Sequence, residues 1–225
     1  VVEVKDMSNK LETGIQYMQE GNWEEAAKNF TEAIEENPKD ALGYINFANL
    51  LDVLGDSERA ILFYKRALEL DDKSAAAYYG LGNVYYGQEQ FAEAKAVFEQ
   101  AMQAGLQSAD VTFMLGITHV QLGNDRLALP FLQRATELDE NDVEAVFQCG
   151  LCFARLEHIQ EAKPYFEKVL EMDEEHADAY YNLGVAYVFE ENNEKALALF
   201  KKATEIQPDH FLAGNGVRLL EQEAE

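Results

Sequence analysis

Among 225 residues, 42 are Asp or Glu and only 18 are Lys or Arg, a formal net charge of −24. Such an excess of acid speaks against nucleic acid, whose phosphates need cations, and against an anionic membrane surface. It favours basic partners, with solubility of an exposed chain as the plainer alternative. No apolar run approaches the roughly eighteen residues of a spanning helix. The opening VVEVKDMSNK lacks the basic start and apolar run of a secretory signal, and two cysteines fit a reducing, cytoplasmic location.

In chain order, the predicted elements are copies of one unit. From about Met7 to His210 a period of 34 runs without insertion. One row holds Gly14, Ala48, Gly82, Gly116, Gly150 and Gly184, all small; a second holds Ala26, Ala60, Ala94, Ala128, Ala162 and Ala196. A third reads Phe30, Tyr64, Phe98, Leu132, Phe166 and Phe200. The units expected are 7–40, 41–74, 75–108, 109–142, 143–176 and 177–210, each a pair of helices. Pro38 and Pro208 stand between units, and Gly55 and Gly123 in the turns within them.

The third unit contains YYGLGNVYYG, whose glycines invite a phosphate-loop reading. Tyr85 stands where the third glycine of Gly-x-Gly-x-x-Gly belongs, and no strand precedes it. Tyr78, Leu81, Gly82 and Tyr85 instead fall on one helical face, and Gly82 lets the partner helix approach. In the fourth and fifth units Pro130 and Pro164 share one site inside the second helix, where kinks are expected. The fifth unit also carries Cys149-x-x-Cys152, both in apolar rows, with no second pair for zinc and no βαβ context for redox work. His119, His158, His176 and His210 are scattered, and no catalytic grouping assembles; a non-enzyme without cofactor or metal is expected. The last segment, 211–225, is too short for a seventh unit and reads as a capping helix closing the array with Phe211, Val217 and Leu220.

These rows resemble the tetratricopeptide repeat (TPR). Period, aromatics at Tyr44, Tyr78 and Tyr180, and the Leu81-Gly82, Leu115-Gly116 and Leu183-Gly184 pairs carry the likeness over nearly the whole chain. The resemblance implies an all-α, right-handed superhelical solenoid of six helix-turn-helix units plus the cap, in a small stand-alone bacterial protein. It also implies that the free face of each first helix, read in the third unit as Tyr79, Asn83 and Tyr86, lines a concave groove for peptides. Across units these rows carry Phe113, Phe147 and Tyr181 beside Tyr79. Amides follow at Asn46, Asn49, Gln148 and Asn182, and acids stand at the lip in Asp110, Glu144 and Asp178. Arg155 is the one cation in the rows. The family's clamp for chaperone C-terminal carboxylates is excluded, because its lysine and arginine positions hold Leu11, Ala76 and Gly80.

The leading expectation is therefore a protein-interaction scaffold whose aromatic, acidic groove takes a Lys- or Arg-containing segment of a partner. A homo-oligomeric assembly module is one alternative. A thiol protein acting through Cys149 and Cys152 is the other.

Overall fold

The computed structural model describes residues 2–223, and side chains for residues 10–222. The side chains of 7–9 in the first expected unit, and residues 224–225 of the expected cap, lie outside that range. Among the described residues every element is an α-helix, and the chain divides into two compact units, Val1–Gln107 and Ser108–Glu225.

The first compact unit holds α1 (Val2–Gln19), α2 (Trp23–Glu36), α3 (Ala41–Val53), α4 (Ser57–Leu70), α5 (Ala75–Gly87) and α6 (Phe91–Gln103). Each odd helix pairs with the next even one, and α2 and α4 then pack on α3 and α5. The second unit repeats this scheme with α7 (Ala109–Gln121), α8 (Asp125–Leu138), α9 (Val143–Arg155), α10 (Ile159–Met172), α11 (Ala177–Phe189), α12 (Asn193–Ile206) and α13 (Phe211–Glu223).

The rows explain the pairing. The alanine row and the Phe30 row are buried throughout both units. A Cβ on Gly82 would lie 2.4 Å from Cε1 of Phe98, so the ring occupies the space a side chain would need. Helix starts are also periodic. Asp40, Ser74, Ser108 and Asp142 accept a backbone N–H from the first turn of α3, α5, α7 and α9. In the same row His176 and His210 do this through Nδ1, accepting from Ala179 and Ala213.

The turns within units are periodic in a way the residue types hide. Gly21, Gly55, Glu89, Gly123, Glu157 and Glu191 all take positive φ, with the glutamates at 59°, 64° and 57°. This left-handed region suits glycine and strains a residue with a Cβ by roughly 1–2 kcal/mol. Converting Glu89, Glu157 and Glu191 singly to Gly should raise stability by up to about 1 kcal/mol each, since relief of strain outweighs glycine's extra unfolded-state entropy. Thermal melts of the three variants check this, with Glu190→Gly, outside the left-handed row, expected to gain nothing. The connection after α6 departs from the others: α6 ends at Gln103, and Gly105 takes φ 102°.

Pro130 and Pro164 lie inside continuous helices, and the expected cap needs revision. Helices α8 and α10 run uninterrupted through the exposed Pro130 and Pro164, with the same 14 residues as α2, α4 and α12. Each proline removes a single N–H in the second turn and keeps its ring toward solvent, so the helix does not end there. At the cap, Phe211 is 76% exposed and does not close the array. Ala213, Val217 and Leu220 pack against the last core instead, and Gly216 passes beside Phe200.

Candidate functional site

In the first compact unit, packing leaves one face of α3 and α5 without a covering helix. Asn49, Asp52, Tyr79 and Asn83 line a concavity of about 340 Å³ there, with Tyr64 and Gly80 in its wall. Gly80 has a local reason: a Cβ would sit 2.4 Å from the Tyr64 hydroxyl. Tyr64 replaces the phenylalanine of its row and donates its hydroxyl to Oδ1 of Asn49. Burial, and then the neighbouring Asp52 carboxylate, push the Tyr64 phenol well above the usual range. Burial also raises the carboxyl of Asp52, which sequence reasoning did not single out. Oδ1 of Asn83 is buried and accepts no hydrogen bond. A neighbouring concavity of about 370 Å³ lies against Asn46 and Asn49, with Ile15, Met18, Trp23 and Val53 around them. Asn46 returns its amide N–H to the Leu42 carbonyl at 2.9 Å. Tyr86 is half-buried, edge-on to Phe91 at 5.3 Å.

The second compact unit presents the same rows with other neighbours. Phe113 and Tyr181 are half-buried, but Phe147 is only 7% exposed, which corrects its expected place on an open surface. Its ring packs 5.9 Å from Phe166 and only 4.5 Å from His176, the latter closer than the counterpart contact at Tyr181. Tyr181 repeats that arrangement with Phe200 at 5.7 Å and His210 at 5.2 Å. The aromatic row is thus tied to the repeat core, as Tyr79 is to Phe98 at 5.9 Å.

The lip acids differ among themselves. Asp110 is exposed. Glu144 is exposed and accepts from Gln148 Nε2 at 2.8 Å. Asp178 accepts from Nε2 of the buried His210 at 3.1 Å, the tautomer being set by Nδ1 capping α13. Asn182 donates to the Asp178 carbonyl at 2.7 Å. Arg155 is not a free groove cation: its guanidinium meets Asp125 at 3.2 Å, thirty residues earlier in the chain. A further concavity of about 380 Å³ beside Tyr181 is lined by Val185, Val188, Leu212 and Leu219.

Cys149 and Cys152 are free and fully buried. Burial pushes their thiols up to about 12 and about 11, the Cys152 thiol donating to the Asp125 carbonyl at 3.2 Å. At neutral pH little of either is the reactive thiolate, so packing accounts for the pair. Among the described residues no helix is long and apolar enough to cross a membrane.

Comparison with known proteins identifies the repeat. Models described as tetratricopeptide repeat match residues 11–40, 29–61, 73–141 and 154–215, and one described as TPR repeat matches 54–89. The TPR repeat-containing protein YrrB of Bacillus subtilis (strain 168) is 61% identical over 41 residues, an alignment spanning 18% of this chain and 20% of YrrB. The crystal structure of YrrB, described as a TPR protein with an unusual peptide-binding site, is 53% identical. It superposes with a TM-score of 0.81 over 86% of this chain and 100% of that one. PilF of Pseudomonas aeruginosa shares the fold at 18% identity, with a TM-score of 0.83 over 99% of this chain and 100% of its own.

Proposed function

The chain belongs to the tetratricopeptide repeat family, and on that premise we propose that it is an interaction scaffold holding a Lys- or Arg-bearing segment of a protein partner. The observation that carries this reading is the chemistry of the uncovered first-helix faces. In the first compact unit Asn46, Asn49, Tyr79, Asn83 and Tyr86 offer amides and rings. In the second, Phe113, Gln148, Tyr181 and Asn182 do so beside Asp110 and Glu144. The one cation in these rows, Arg155, is already neutralised by Asp125. Side-chain amides suit an extended backbone, giving it both donor and acceptor. Carboxylates beside rings suit cationic side chains. That a 53% identical relative is described as a TPR protein with an unusual peptide-binding site supports the same assignment.

The test is to isolate the partner from the source cell, map its binding segment and titrate salt. A segment carrying Lys or Arg, with affinity falling as ionic strength rises, is the expected result. An acidic segment, or affinity indifferent to salt, overturns it and leaves the charge of −24 to solubility.

A further inference from the structure

Within that reading, we propose that the concavity between α3 and α5 is a seat for one cationic side chain of the bound segment, arginine before lysine. Asp52 is its counter-ion and the Tyr79 ring its stacking face.

The wall of this concavity holds an acid without a cation. Asp52 contributes a carboxylate, while the Asn83 amide oxygen is sealed from the hollow and accepts no hydrogen bond. The Tyr79 ring stands in the same wall, and the Tyr64 hydroxyl is turned to Asn49. Among the described residues no Lys, Arg or His lies within ion-pair distance of Asp52. An apolar occupant would bury Asp52 further without answering its charge, and an anion would meet the carboxylate. A guanidinium answers both the acid and the ring: its fork pairs a carboxylate and its plane stacks on an aromatic face.

The fold supplies its own controls, because concavities lie at the same stations one period earlier and four periods later. Between α1 and α3 the station of Asp52 is held by Met18, and that of Asn83 by Asn49. Between α11 and α13 the two stations are Val188 and Leu219. Of the three, the concavity between α3 and α5 alone sets an acid beside an aromatic ring. The acid is therefore a local feature and not a by-product of the repeat.

The experiment follows the side-chain amide of Asn83 and the ring of Tyr79 by NMR in the full chain. The probes are N-acetyl-arginine methylamide and its lysine, norleucine and glutamate counterparts. Arginine should give saturable shifts at both residues, lysine weaker ones, and norleucine and glutamate none. Asp52→Asn should weaken arginine binding at least tenfold without lowering the melting temperature. Norleucine binding as well as arginine, unchanged arginine affinity in Asp52→Asn, or no saturable shift up to the probe's solubility limit overturns the seat. Partner binding by Asp110→Asn with Glu144→Gln separates the two readings. If that variant binds more weakly while the seat fails, the scaffold reading stands; if neither matters, both fall.

Discussion

Gly82→Ala is expected to lower the stability of the chain by about 1–3 kcal/mol, whereas Gly214→Ala is expected to raise it by about 0.5–1 kcal/mol. The covalent change is identical, and both glycines are inside helices, α5 and α13. In each, alanine gains the same intrinsic helix preference. The difference is what the new methyl meets. At Gly82 it comes within 2.4 Å of the Phe98 ring, which is fully buried and has nowhere to move; at Gly214 it meets nothing within 4 Å. Overpacking exceeds propensity at the first site, and propensity acts alone at the second. Gly82→Leu and Ala94→Trp should be worse than Gly82→Ala, since both force α5 and α6 apart. Denaturant unfolding of the four variants checks the order; a stable Gly82→Leu would mean that the buried face of α5 is misassigned.

That contrast also shows why the fold was legible. A ring that fills the space beside a glycine must be matched in every unit, so small and aromatic residues recur at fixed spacing and the period is visible in one sequence. The left-handed turn position follows the same period, but Glu89, Glu157 and Glu191 do not look like turn residues. Only alignment with Gly21, Gly55 and Gly123 betrays them. The groove was legible less evenly. The row of Tyr79 lies on the first helices as expected, yet Phe147 is buried where Tyr181, with the same ring partners one period on, is only half-buried, a difference in depth that the row does not carry. Arg155 was placed among the groove residues, and its ion pair was not legible because Asp125 lies on another helix. Asp52 was passed over because its row otherwise holds Met18, Tyr86, Val120, Ala154 and Val188, among which one acid reads as a solvated helix face.

The same differences among the acids sharpen what binding kinetics should show. Asp110→Asn combined with Glu144→Gln removes two exposed carboxylates that hold no core contact. Rim charges act on encounter, so association with the partner should slow several-fold at low salt, on the order of three- to tenfold, while dissociation changes little. Asp178→Asn is different in kind: it weakens the hydrogen bond to the buried His210 that starts α13, so its main effect should be on stability. Tyr79→Ala with Phe113→Ala should act on the other rate. A ring lost beneath a cation costs about 0.5–2 kcal/mol of contact, which is roughly two- to thirtyfold in dissociation. Stopped-flow measurement across a salt series resolves the two. Equal association rates for the double acid variant and the parent at low salt would show that the lip does not steer the partner, and the proposed groove would then rest on its amides and rings alone.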